Sequence, residues 1–195
     1  MKFIIEHLEP ELFEWCLIEY GHISEIADSK NVFFTNVWKK DFFRLEHLGE
    51  AYEKDVSELC SQKVFDKICV LSQYAKKTLS FEDKKKFQCL VFGGILGDSP
   101  AKKRTAEITD NLKREKIRFE ERNLGDKQMP TDVAVFVAKK ILEGAKFHEM
   151  KFCDNIEIEI NENESIVLPF RYVVDGNKLA ISEGLVGYLR KRNDF

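Results

Sequence analysis

The chain has 195 residues, 44% of them hydrophobic and 33% charged, which allows one domain with a real core and excludes a disordered chain. A net charge of −3 provides no overall basic excess of the kind that nucleic-acid-binding proteins carry. Five widely spaced cysteines with no Cys-x-x-Cys pair, and four scattered histidines with no His-x-x-x-His pair, fit neither a disulfide framework nor a zinc site.

In chain order, residues 2–6 read as a short buried strand and residues 9 to about 27 as a helix, with Pro10 tolerated in its first turn. Glu6 and His7 fall where the strand ends; His7 there is either a proton shuttle or a hydrogen-bonded structural histidine. On the helix, Leu12, Trp15, Cys16, Ile23 and Ile26 form an apolar stripe, and helical spacing puts Glu19 inside it. Burying an unpaired carboxylate is expensive. Glu19 is therefore expected in an internal ion pair with Arg or Lys, in a solvated cleft, or waiting for a cationic ligand.

Residues 31–36 read as a second strand, and residues 38–88 as helices around a short strand near 67–71. Residues 88–95 form the clearest buried strand, followed by a helix from about 102 to 116 and a strand over 118–122. A helix from about 130 to 143 is marked by Val133, Phe136, Val137 and Ile141 at spacings of three and four. Strands near 156–160 and 166–174, a turn at Asp175-Gly176-Asn177 and a terminal helix over about 182–191 complete the chain. Alternating strands and helices predict a single α/β domain over 1–195 with a mostly parallel sheet, whose ligands bind beyond the carboxyl ends of the strands.

Reduced thiols within apolar runs point to an intracellular compartment. No apolar stretch approaches the ~20 residues of a membrane span, and the N-terminus reads as a strand rather than a signal peptide. A cytoplasmic protein with no membrane contact is the expectation.

Three stretches concentrate glycine, proline and acidic residues at the ends of strand-like runs: Val91-Phe92-Gly93-Gly94-Ile95-Leu96-Gly97-Asp98, Asn123-Leu124-Gly125-Asp126-Lys127-Gln128-Met129-Pro130-Thr131-Asp132 and Val167-Leu168-Pro169-Phe170-Arg171-Tyr172-Val173. Without a Cβ, glycine lets the backbone itself approach a ligand. The first stretch fits neither the dinucleotide fingerprint nor the phosphate-binding P-loop, and taken alone it is equally a tight turn. Asp98 is a candidate ligand for a polar group or a cap for the next helix. Lys127 and Gln128 serve a site or are simply solvated, and Pro169 marks an edge, a bulge or the start of a loop. The basic runs Lys102-Lys103-Arg104 and Lys113-Arg114-Glu115-Lys116 read as solvated helix faces before they read as a phosphate-binding patch.

With these residues in hand, the chain resembles the SPOUT class of S-adenosylmethionine-dependent methyltransferases, and within it the fungal protein-arginine methyltransferases acting on a small-subunit ribosomal protein. The likeness opens at Met1-Lys2-Phe3-Ile4-Ile5-Glu6-His7, continues through Glu14-Trp15 and Glu19-Tyr20, and is strongest within the three stretches above, at Phe92 to Asp98, Leu124 to Met129 and Pro169 to Val173. It implies a C-terminal trefoil knot over about residues 90–176. It also implies a bent S-adenosylmethionine enclosed by Phe92, Gly93, Gly94, Gly97, Leu124, Gly125, Met129, Leu168 and Phe170, with Asp126 positioning it. An arginine acceptor then needs acidic groups to orient the guanidinium and release its proton, for which Glu19, Glu6 and Asp98 are the candidates, in that order. A basic protein substrate and a monomer are implied; an RNA acceptor is the alternative.

Overall fold

The computed structural model describes residues 1–96, 103–162, 164–176 and 178–192. The opening run forms strand β1 (Lys2–His7), almost wholly buried, as expected of a strand covered on both faces. Helix α1 (Glu14–Ala27) starts five residues later than the sequence suggests. The side chain of Glu9 accounts for the difference. One of its oxygens accepts from the Leu96 backbone N–H at 3.0 Å and from Arg104 Nη1 at 2.7 Å, tying the segment after β1 across the sheet's carboxyl edge.

Strand β2 (Val32–Thr35), the single turn α2 (Phe42–Leu45), the two-residue strand β3 (Glu50–Ala51) and helix α3 (Val56–Ser61) follow. Asp55 and Glu58 form a capping box at the start of α3, satisfying backbone N–H groups that the helix leaves unpaired. Next come β4 (Ile68–Leu71), the short α4 (Asp83–Lys86), β5 (Cys89–Gly94), α5 (Thr105–Arg114), β6 (Phe119–Arg122) and α6 (Thr131–Leu142).

The six strands form one sheet in the order β3-β2-β1-β5-β4-β6, every pair parallel. Alternate residues of each strand supply its two covers. Phe3, Ile5, Phe34, Leu90 and Phe92 pack with Tyr20 and Ile23 of α1 and Val133 and Val137 of α6. Ile4, Phe33, Val70 and Val91 pack on the other side with Val56 and Leu59 of α3 and Ile108 and Leu112 of α5. The crossover from β1 therefore leaves on one face and that from β5 on the other. Neighbouring strands whose crossovers diverge in this way open a crevice at their carboxyl ends.

The last strands are not part of that sheet. β7 (Lys151–Asn161), β8 (Glu164–Asp175) and β9 (Lys178–Leu179) make a separate antiparallel sheet, so the expectation of parallel pairing does not extend to them. The connection from β7 to β8 is far too short for a parallel crossover. The alternation Ile156, Glu157, Ile158, Glu159 fits a strand with one buried face. Pro169 and Phe170 lie opposite the single residue Asn155, a bulge that absorbs proline's missing donor. Helix α7 (Glu183–Arg192) closes the described chain and buries Leu185 and Leu189 in the core shared with α1.

Candidate functional site

A cleft enclosing about 850 Å³, solvent at its mouth included, opens at the carboxyl ends of β4, β5 and β6. Its walls are Leu71, Ser72, Gln73 and Tyr74 after β4; Phe92, Gly93 and Ile95 at the end of β5; Lys103 and Thr105 at the start of α5; and Leu124, Gly125, Lys127, Gln128, Met129, Thr131 and Ala134 from β6 into α6. The first two glycine-bearing stretches thus meet across one cavity. Gly125 is held at φ +90°, and a Cβ there would come within 2.7 Å of the Phe147 ring, so any other residue would strain the backbone and displace the ring. Thr131 ties the two stretches together, its hydroxyl donating to the Gly93 carbonyl at 3.1 Å. Gln73 Nε2 donates to the Asp126 carbonyl at 2.6 Å, drawing the loop after β4 onto the loop after β6. The result is a concave cleft in which two glycines lie among apolar and polar side chains, which suits a flat, polar-edged ligand such as adenosine.

Of the residues expected at a cofactor, Phe92, Gly93, Leu124, Gly125 and Met129 line this cleft, while Gly94, Asp126, Leu168 and Phe170 are not among its walls. Gly94 answers a packing demand, since a Cβ there would come within 2.4 Å of the Tyr20 hydroxyl. Leu168 is buried in the core and Phe170 packs half-buried against it. The third stretch reaches the site through its backbone and its arginine. Arg171 N donates to the Gln128 carbonyl at 2.9 Å, and the guanidinium binds Asp154 at 2.9 Å with Asp126 3.5 Å away. Gly97 and Asp98 lie outside the described residues. Ser72, Gln73 and Tyr74 were missed by the sequence reading because nothing marks them except their position just after a buried strand.

Thr131 has a second neighbour. Its backbone N–H and the Trp15 indole, at 2.9 Å, both donate to Glu19, which is 4% exposed and sits beside the equally buried Asp132. No Arg or Lys among the described residues pairs with Glu19, so of the three alternatives left open for it the internal ion pair is not formed there. Burial, reinforced by the charge of Asp132, holds the Glu19 carboxyl well above the ordinary carboxylate range. Asp132 binds His22 Nδ1 at 2.7 Å. Burial pulls that imidazole down, but the Asp132 hydrogen bond and charge outweigh it and leave His22 more basic than usual. Tyr188 of α7 meets Trp15 edge-on with centroids 6.2 Å apart, covering this acidic seam between α1 and α6.

Glu6 projects to the opposite face of the sheet, beside Ile4. It accepts from the Val56 N–H at 3.0 Å, at the start of α3, and from the Thr35 hydroxyl. Burial raises its pKa to about 7. His7 is buried with its Nδ1 2.8 Å from the Tyr20 hydroxyl, and burial keeps its pKa low. Both groups are buried and neither lines the cleft, although they lie in register with Gly93 and Gly94 of the neighbouring strand β5. The basic runs are largely engaged as well: Arg104 with Glu9 and the Leu8 carbonyl, Lys113 with Asp110. Among the described residues no cluster of His, Cys, Asp and Glu is suited to a metal ion, and no helix is long and apolar enough to cross a membrane.

Comparison with known proteins extends these observations. The family described as protein arginine N-methyltransferase SFM1-like matches residues 2–194. The protein arginine N-methyltransferase SFM1 of Saccharomyces cerevisiae is 35% identical, over 98% of this chain and 95% of its own length. A crystal structure of the yeast enzyme complexed with SAM superposes with a TM-score of 0.88 at 34% identity, covering 100% of this chain and 92% of that one. The same enzyme complexed with MTA gives 0.83 at 32% identity, covering 97% and 100%. A Trm10 structure from Thermococcus kodakaraensis, 17% identical, covers 76% of this chain and 95% of its own with a TM-score of 0.59, a likeness of fold alone. The architecture is that of the SPOUT methyltransferases.

Proposed function

Because the chain belongs to the SFM1-like family of protein arginine N-methyltransferases, we propose that it methylates an arginine side chain of a basic protein, with a small-subunit ribosomal protein as the expected acceptor. It is an S-adenosylmethionine-dependent methyltransferase. The observation that carries the arginine reading is the contact at Thr131: its side chain belongs to the ligand cleft, and its backbone N–H points to a buried carboxylate next to a second one. A cofactor cleft and a cation-seeking seam therefore share a wall.

When bound, S-adenosylmethionine supplies a sulfonium methyl whose bonding pair stays on sulfur as the acceptor nitrogen attacks. The walls from Phe92–Gly93 and Leu124–Met129 would hold it in a preformed cleft that needs little reorganisation. Arginine is protonated at any physiological pH, so the nitrogen that gains the methyl must shed a proton. Glu19 has the features of the group that orients the planar fork and takes that proton. It is buried, has no Arg or Lys partner among the described residues, and burial beside Asp132 holds its carboxyl above the ordinary carboxylate range, making it a better proton acceptor than an exposed glutamate. Asp132, held by His22, supplies the second negative charge facing the guanidinium. Glu6 is less suited, because it projects to the opposite face of the sheet, where its Oε2 accepts from both Thr35 and Val56.

We further read the chain as a single unit whose crossings after residue 90 form a trefoil knot, acting as a monomer in the cytoplasm. The decisive experiment incubates the protein with labelled S-adenosylmethionine and dissociated ribosomes. Label in a small-subunit protein, lost on Glu19→Gln, is the expected result; label in RNA would overturn the arginine assignment.

A further inference from the structure

The charges that line the cleft are all of one sign. Among the described residues its walls carry Lys103 and Lys127 and no aspartate or glutamate. Lys127 is already neutralised, its Nζ 2.5 Å from Asp154, which also holds Arg171. Lys103 has no carboxylate partner among the described residues. Its Nζ lies 4.8 Å from the ring centroid of Tyr74, another wall residue, so ring and ammonium face each other across the mouth between the β4 and β5 loops.

The backbone beside Lys103 is fixed from behind. Arg104 turns away from the cleft, and its guanidinium reaches Glu9 at 2.7 Å and the Leu8 carbonyl. The same Glu9 oxygen takes the Leu96 N–H at 3.0 Å. Ile95 on one side and Lys103 and Thr105 on the other line the cleft, while Leu96 and Arg104 between them converge on one carboxylate. Lys103 is thus delivered to the rim at the start of α5, where the helix end adds to the local positive potential.

Resting on the cofactor reading above, we propose that Lys103 binds the carboxylate of the cofactor's amino-acid tail. The cofactor carries two cations, its sulfonium and its ammonium, and one anion. An unneutralised ammonium at the mouth attracts only the last of these, and the Tyr74 ring holds it there without cancelling its charge. Lys103 so fixes which end of the cofactor lies at the mouth.

Calorimetry with S-adenosylmethionine and decarboxylated S-adenosylmethionine tests the assignment, because the two differ in the carboxylate alone. The native protein should favour the carboxylated ligand. Lys103→Met should weaken it about tenfold, the scale of one charge-assisted contact near solvent, and leave the decarboxylated ligand unchanged or tighter. Lys103→Arg should restore most of the preference. Equal weakening of both ligands, a preference that survives Lys103→Met, or a preference abolished by Lys127→Met instead would each overturn the proposal. Failure of the native protein to bind either ligand would instead remove the cofactor reading, and this assignment with it.

Discussion

The cleft and the acidic seam meet at Thr131 and are made from opposite chemistry. The cleft offers backbone amides, small polar groups and two lysines, with no described acidic side chain on its walls. The seam offers two buried carboxylates, an indole N–H and a histidine, with no lysine or arginine among the described residues paired with them. A cofactor that is mostly adenosine needs shape and hydrogen-bonding edges. A guanidinium needs negative charge in a dry place, where it counts for more than in water. Dividing the two demands between separate regions lets each be met without weakening the other.

The sharpest way to break this division is Glu19→Gln, which keeps the Trp15 contact and removes the proton acceptor. Turnover should fall by about a hundredfold or more while S-adenosylmethionine affinity, measured by calorimetry, stays within about twofold. A variant that binds and turns over normally would dissolve the distinction between seam and cleft.

Gly125→Ala attacks the other region. At φ +90° and with the Phe147 ring 2.7 Å from the new Cβ, the loop must shift, and cofactor affinity should drop about tenfold, the scale of one strained backbone position. Saturating cofactor should recover much of the rate, which it cannot do for Glu19→Gln.

Glu9→Gln loosens the tie behind the rim without touching the lining. We expect affinity to fall only severalfold, and equally for S-adenosylmethionine and its decarboxylated form, since the shape of the mouth changes and its charge does not.

Glu6→Gln should affect both regions least, and shows instead in stability against pH. The unfolded carboxyl ionises near 4.5, whereas the folded one holds its proton to about 7. Below 4.5 both states are protonated and Glu6 adds no pH dependence. Between 4.5 and about 7 the native state retains a proton that the unfolded state has lost, so stability declines as pH rises. Above about 7 the loss is complete, on the order of 3 kcal/mol. Denaturant titrations from pH 4 to 8 should show Glu6→Gln flattening this decline with activity nearly intact; an identical decline in both proteins would refute the assignment.

Sequence reading reached unequal depths in these two regions. Glycines in the 93 and 125 turns mark close backbone approach directly, because the missing Cβ is itself the signal. Gly94 carries the same signal for another reason, the Tyr20 hydroxyl standing where a Cβ would go. The oddity of Glu19 was legible from helical spacing, but its partners were not: Thr131 and Asp132 are more than a hundred residues away, and Trp15 was read as part of the apolar stripe. Ser72, Gln73 and Tyr74 were invisible because an ordinary turn after an ordinary strand has no distinctive composition.

By itself, then, the sequence determined the parallel α/β core, through apolar runs and helical periods that local chemistry imposes. It also determined the glycine turns and the misplaced acid. Only the tertiary structure decided that the final strands form their own antiparallel sheet, which face Glu6 occupies, and that one threonine joins cleft to seam. Those outcomes depend on strand order and long-range burial, which couple residues that share no local pattern along the chain.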